Sequence, residues 1–398
     1  MNIINQNDSS TIIIHGTLIT PFQFLRDKFI VVNKGKIETI TDKKEDLSTT
    51  LKAEVIEARD KYIVPGFIDI HVHGGGGADV MDGEYESIKK IARTHSRFGT
   101  TAFLPTTMTM CDEKIIQSLR SIAEARLKGT GAAEILGVHL EGPYISKERK
   151  GAQKEEDIKK CSKEEFLEFN KASGNLIRLV SLAPEIPRTI DFIHWLYKNN
   201  IIASAGHTNA TYQQMQEAIK AGLTHITHLF NAMRGLHHRE PGVVGAALTD
   251  PQLTVELIAD GIHLNPVILK MVTQIKEKEK IILITDAMRA AGLGEGYYDL
   301  GGQQVFVNLG EARLQDGTLA GSILTMDKAV HNMVNIAGVT LLEAVQMASY
   351  NPAKLLGVDD KKGTLEQGKD ADLVILNKNL ETELTMVSGK IVYRRENE

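Results

Sequence analysis

The sequence predicts an α/β protein: a (β/α)8 TIM barrel with a small β-sandwich domain built from both termini. Three observations lead there. Between Tyr62 and Asn351, eight apolar runs of strand length alternate with stretches of helical apolar spacing. Both ends of the chain read instead as short β-branched strands separated by turn residues such as Asn33 and Gly35. Metal-competent side chains follow five of the eight runs, at the strand ends where such a barrel keeps its active site.

The elements follow in order. Thr11–Leu18, Phe29–Val32, Lys36–Ile40 and Ala53–Glu57 are the N-terminal strands. The barrel runs are Gly66–Val72, Thr101–Pro105, Ile135–Leu140, Leu179–Leu182, Ile201–Ala205, Thr224–His228, Thr254–Ile258 and Ile281–Ile284. Glu84–Arg97, Glu113–Arg126 and Tyr212–Ala221 carry helical periodicity between them. Gly292–Ala320 breaks the rhythm with glycines and short strand-like pieces, and reads as an inserted hairpin or lid over the barrel mouth. Ala371–Leu376, Leu384–Val387 and Lys390–Arg394 close the chain as strands. Neither terminal set can easily fold alone, so the two pack together. The expected division is 1–62 with 352–398 for the sandwich and 63–351 for the barrel.

With 398 residues, 42% hydrophobic and 24% charged, the chain suits one large and one small soluble domain. A formal net charge of -5 gives nothing global to attract nucleic acid or anionic lipid, so an anionic ligand needs a local site. Cys111 and Cys161 form no metal-type or disulfide framework and fit a reducing compartment. The opening MNIINQNDSSTIII lacks the pattern of a signal peptide, and no apolar run reaches membrane-span length. The expected location is cytoplasmic.

The chemistry sits at the run ends. The first ends in Asp69-Ile-His71-Val-His73, the third in His139-Leu-Glu141, the fifth in Gly206-His207-Thr208, the sixth in His225-Ile-Thr-His228 and the eighth in Thr285-Asp286. Residues i and i+2 of a strand share a face, so His71 and His73 can hold one ion together. Imidazole with carboxylate suits zinc, iron, manganese or cobalt, and Glu141 can bridge two ions. Taken singly, each signal is weak: a lone histidine at a strand end is commonly a core or loop residue, and Asp286 alone reads equally well as a helix cap. Convergence is what carries the reading. His225, three residues from His228, should face the other way, and His139 should give packing or support behind the ligands. His15, His95, His194 and His331 receive no role.

Together the motifs PGFIDIHVHG, GVHLEGPYIS, AGHTNAT, THLFNAMRGLHHREPG, DGIHL, ITDAM and LAGS resemble the N-acetylglucosamine-6-phosphate deacetylases, a family of the amidohydrolase superfamily. The resemblance runs from about Gly16 to Val392 in order. It implies a cytoplasmic homodimer in amino-sugar catabolism and cell-wall recycling, with an amino-sugar phosphate as substrate and no nucleic acid or membrane partner. It implies a divalent metal, one or two per chain, zinc or iron first and manganese or cobalt next. Glu141, His207 and His228 would hold the principal ion; His71, His73 and Glu141, with Asp286 nearby, would hold the other. Ala152, Gln153, Asn231, Ala232, His263 and the Leu319–Ala320–Gly321 backbone would contact the sugar, and Arg239 its phosphate, beside His237 and His238. Some members carry a histidine where this chain has Gln153, whose amide N–H can donate to an oxyanion but carries no charge.

The reaction this implies uses metal-activated hydroxide. Asp286 is base and then acid, and the products are glucosamine 6-phosphate and acetate. A ring-opening amidohydrolase is disfavoured, because the fourth run, Leu179-Val-Ser-Leu-Ala-Pro, offers no lysine to bridge two ions. A non-catalytic sugar-phosphate sensor would have lost a ligand or Asp286, and all are present.

Overall fold

The computed structural model describes residues 12–43 and 53–396. Thr11, and the leading segment on which a signal peptide was sought, lie outside them. The eight predicted runs are the eight parallel staves of a barrel: Phe67–Val72, Thr100–Thr107, Val138–Glu141, Ile177–Leu182, Ile202–Ala205, His225–Ile226, Thr254–Ile258 and Ile281–Ile284. They pair in sequence order. First and eighth meet just beyond their ends, where the Asp286 N–H donates to the His71 carbonyl (3.0 Å) and Val72 bridges Ala287. Every residue of the first, second and eighth strands is buried; the eighth, Ile281–Ile284, reads as an unbroken apolar run, whereas the first alternates Ile68, Ile70 and Val72 with Asp69 and His71.

Helices cover the outside. Tyr85–Ser96 turns Ile88, Ile91, Ala92 and His95 inward, one stripe at helical spacing. Each buried isoleucine there contributes about 1.5–3 kcal/mol. Tyr212–Ala221 matches its expected span because both ends are marked: Thr211 and Gln214 form a capping box, and Gly222 ends it at φ 113°.

Two staves differ from expectation. The third is split, since Glu134–Ile135 pairs with the second strand before the chain steps over at Gly137. A Cβ at Gly137 would fall 2.2 Å from the Arg178 side chain of the fourth strand, so glycine lets the chain run close against that strand. The sixth keeps two residues before bending away, with His228 at φ 30°.

The terminal strands form one seven-stranded sheet, ordered Lys390–Arg394, Thr382–Val387, Leu373–Leu376, Glu54–Pro65, Ile12–Ile19, Phe24–Asn33 and Lys36–Thr41. Ile14, Leu18, Ile30, Ile37, Ile63, Leu373 and Met386 fill a core separate from the barrel's. The sheet curls until the turns beside its two edge strands meet: a Cβ on Gly389 would lie 2.7 Å from the Gly35 Cα, and the Ala371 N–H, leading into Leu373–Leu376, donates to the Gly35 carbonyl (2.9 Å). The sandwich is thus one sheet rolled on itself.

The Gly292–Ala320 insertion is a three-stranded antiparallel sheet, Gly296–Leu300, Gln303–Asn308 and Glu311–Leu314, beside the barrel mouth. Arg289 fastens its root through Asp82 (2.6 Å), and Gln303 donates to the Ala152 carbonyl (2.5 Å). No described helix is long and apolar enough to cross a membrane.

Candidate active site

The six residues expected to carry the chemistry converge at the strand ends. His71 and His73 follow one another on the same face, with Nε2 atoms 3.2 Å apart. Glu141, last in the third strand, reaches both sides: Oε1 lies 3.2 Å from the Nε2 atoms of His207 and His228, and Oε2 lies 3.3 Å from His73. Asp286 Oδ1 stands 3.2 Å from His73 and 3.5 Å from His71. All six are buried. His207, His228 and Asp286 have φ of 47°, 30° and 49°, a conformation bulky residues rarely adopt. Strain of roughly 1–3 kcal/mol per residue is typical where a site must aim its side chains.

The donor set fits a divalent cation. His73 Nδ1 meets the Thr106 carbonyl (3.2 Å) and His207 Nδ1 the Arg149 carbonyl (3.0 Å). Carbonyls only accept, so Nδ1 carries the proton and Nε2 presents a lone pair to the site. His71 is fixed alike, by Glu256 at 3.0 Å. Two lone pairs 3.2 Å apart, as at His71 and His73, repel unless a proton or a metal ion lies between them. The sets His71–His73–Asp286 and Glu141–His207–His228 each bring three donor atoms together. His139 and Glu256 form a third grouping with His71. There His139 is occupied by the Ile70 carbonyl (3.2 Å) and the Ser181 hydroxyl (2.7 Å), a supporting place behind the ligands.

The electrostatics point the same way. Burial alone would lower the basicity of His71 and His73, but Asp286 and Glu141 outweigh it and raise both above ordinary imidazole. Burial likewise opposes ionisation of Glu141 and Asp286; the facing histidines overcome it and hold both carboxyls below their usual range. Asp69, deeper and joined to the Thr285 hydroxyl at 2.6 Å, is pushed up to about 7 by burial.

A cavity of about 330 Å³ opens above the cluster. Ala152, Gln153, Asn231, Ala232, His263, Leu319 and Gly321 line it, as expected of them. Ala320 is fully buried and does not. Arg239 is not brought there either: it lies on an exposed turn, its guanidinium 2.9 Å from His238 Nε2, and His237 and His238 are exposed beside it. Gln153 lines the cavity with its amide already engaged, Nε2 donating to Glu141 Oε2 (2.7 Å) and Oε1 accepting from the Thr109 N–H (2.8 Å).

The amidohydrolase family model matches residues 62–392. N-acetylglucosamine-6-phosphate deacetylase of Bacillus subtilis (strain 168) is 42% identical over 384 residues, covering 94% of this chain and 95% of the relative. The chain belongs to the N-acetylglucosamine-6-phosphate deacetylase family of amidohydrolases. Another relative, N-acetylgalactosamine-6-phosphate deacetylase of Escherichia coli O157:H7, is 41% identical over 86% of this chain and 90% of its own. Among solved structures, the Mycobacterium smegmatis deacetylase, an aspartate-to-alanine mutant in complex with N-acetyl-D-glucosamine-6-phosphate, superposes with TM-score 0.89 at 32% identity, over 97% of this chain and all of that one.

Sequence reasoning missed three residues of this amidohydrolase site. Glu256 and His225 stand behind the ligands, Oε1 to Nε2 at 3.0 Å. His225 was expected to face away, but the strand bends between His225 and His228, so strand parity does not carry across. A glutamate inside the apolar run Thr254–Ile258 was a usable signal for its partner. Arg313, from the inserted sheet, lines the cavity with no motif to mark it.

Proposed function

We propose that this protein hydrolyses N-acetylglucosamine 6-phosphate to glucosamine 6-phosphate and acetate. The observation that carries the reading is the meeting of two histidine sets at one carboxylate, Glu141, on the floor of a cavity whose wall holds Asp286. The deacetylase relatives, similar over nearly the whole chain, support the substrate.

Glu141, His207 and His228 would hold one divalent ion and His71, His73 and Glu141 another, with zinc or iron the preferred metal. When bound, the metal supplies Lewis acidity, making water nucleophilic near neutral pH and polarising the acetamide carbonyl. The chain's own groups do the rest. Asp286, held ionised by the facing histidines, accepts a proton as the water oxygen bonds to the carbonyl carbon. It returns that proton to the amine nitrogen as the C–N bond breaks. Gln153 gives one of its two amide N–H groups to Glu141, so we assign it to holding that carboxylate, with the second N–H left for an oxyanion contact.

Phosphate selectivity falls to the cationic groups. His263, oriented by Asp260 (2.6 Å) and raised in basicity by it against burial, faces the cavity with Arg313. Arg239 lies outside its own chain's cavity, so its expected grip on phosphate requires the turn of a second copy in a homodimer. A cytoplasmic location belongs to the same reading, since Cys111 and Cys161 are both free.

The test is acetate release from N-acetylglucosamine 6-phosphate, its galactosamine epimer and the unphosphorylated sugar, with and without chelator. Fast, chelator-sensitive turnover preferring the phosphorylated gluco substrate is expected. Turnover that ignores chelator breaks the metal assignment, and equal rates with and without phosphate break the substrate assignment.

A further inference from the structure

Glu256 is a carboxylate where the barrel strand otherwise supplies packing. Val255, Leu257 and Ile258 around it are apolar, and Glu256 itself is fully buried. Taking a carboxylate out of water costs several kcal/mol unless its oxygens are satisfied. Here they are, by donors from both halves of the site. Oε2 accepts from the His71 Nδ1–H (3.0 Å) and from the His228 backbone N–H (3.0 Å). Oε1 meets His225 Nε2 (3.0 Å), and His225 Nδ1 is anchored by the Thr254 hydroxyl (2.6 Å).

The two Oε2 contacts do different work. The bond to His71 fixes the tautomer that turns its Nε2 lone pair to the cavity, and a charged acceptor strengthens that nitrogen as a ligand. The bond to His228 holds the backbone in its φ 30° turn, which aims that imidazole back at Glu141. Glu141 thus joins the half-sites from the cavity side, and Glu256 joins them from behind.

We propose that Glu256 is a positioning residue that sets the metal affinity of both half-sites together, through the His71 side chain and the His228 backbone. The inference rests on the metal reading given above. Its test loads wild-type protein and Glu256→Gln with zinc, challenges each holoenzyme with graded chelator, and counts the zinc remaining per chain. Glutamine keeps the shape but removes the charge and replaces an acceptor oxygen with a donor. We expect the variant to release both ions at roughly 10- to 100-fold lower chelator, with unchanged far-ultraviolet circular dichroism. Glu256→Asp, which keeps the charge for His225 but withdraws the carboxylate by one methylene, should also loosen both ions, and it serves if the glutamine variant does not fold. Retention of both ions at wild-type strength in a folded variant overturns the proposal, as does selective loss of one. Wild-type protein that holds no zinc overturns the metal reading itself, a result separable from either.

Discussion

At the residue scale, the reaction turns on one proton, which must leave water and reach the departing amine. Asp286 lines the cavity and is ionised at neutral pH because His71 and His73 outweigh its burial. Asn at this position has nearly the same shape, and like Asp it tolerates the positive φ of 49° found there. Asp286→Asn should therefore fold, keep the ion at Glu141, His207 and His228, and lose about 10²- to 10⁴-fold in kcat. Steady-state rates beside a metal count check this; a folded, metal-loaded variant with wild-type kcat removes Asp286 from proton transfer. Residues of this kind were legible because HxH, a carboxylate and further histidines followed successive apolar runs. Glu256 was marked only by its place in the apolar run Thr254–Ile258, and His225 was set aside on a strand parity that the turn at His228 breaks.

At the scale of elements, all eight staves were plain in the sequence, the four-residue Ile281–Ile284 included, while the length of the terminal strands was not. The strand Glu54–Pro65 was foreseen only as far as Glu57, because the polar stretch Ala58–Lys61 hides its continuation to the pairing of Tyr62–Pro65 with Leu373–Leu376. The inserted sheet was visible as an interruption, but which of its side chains would face the cavity was not. Arg313 is the one that does so with charge, although Glu311 (2.6 Å) and the Gly317 carbonyl (2.6 Å) share its guanidinium. On the proposed reading two separate elements would offer a guanidinium for phosphate: the inserted sheet within the chain and, in a homodimer, the exposed Arg239 turn of a second copy. Arg239→Ala should raise KM for the phosphorylated sugar at least 10-fold, about 1.4 kcal/mol, and leave KM for unphosphorylated N-acetylglucosamine within 2-fold. Arg313→Ala should act in the same direction but more weakly, since its charge is already partly neutralised. Kinetics on both sugars decide this, and an Arg239→Ala effect of equal size on each would remove that turn from phosphate recognition.

Across the whole molecule, the barrel and the terminal sheet are joined by a buried charge cluster. Lys362 is 5% exposed, and its ammonium lies 2.6 Å from Asp372, 2.8 Å from Glu134 and 3.0 Å from Asp370. Glu134 belongs to the barrel, and the two aspartates lead into the C-terminal strands. Burial opposes the charge on Lys362, but Asp372 and Glu134 outweigh it and raise its pKa. Asp372 shows burial winning, its carboxyl raised, whereas the less buried Asp370 is lowered by Lys36 and Lys362. The acid side is therefore mixed, while the alkaline side is clean. A raised lysine contributes stability that is complete below its unfolded value, about 10.4, and is lost as pH climbs through the folded one. Lys362→Met fills the same space but leaves the buried Asp372 without its cation, while Asp370 keeps Lys36 (2.6 Å) and Glu134 keeps Arg126 (2.9 Å). Breaking a buried pair this way costs roughly 3–5 kcal/mol. Urea unfolding at pH 7 should show that loss, and the gap between variant and wild type should narrow above about pH 10.5, where the lysine of the unfolded chain loses its proton while the folded one still holds it. A Lys362→Met protein as stable as wild type at pH 7 would mean that apolar packing, not this cluster, fastens the terminal sheet to the barrel.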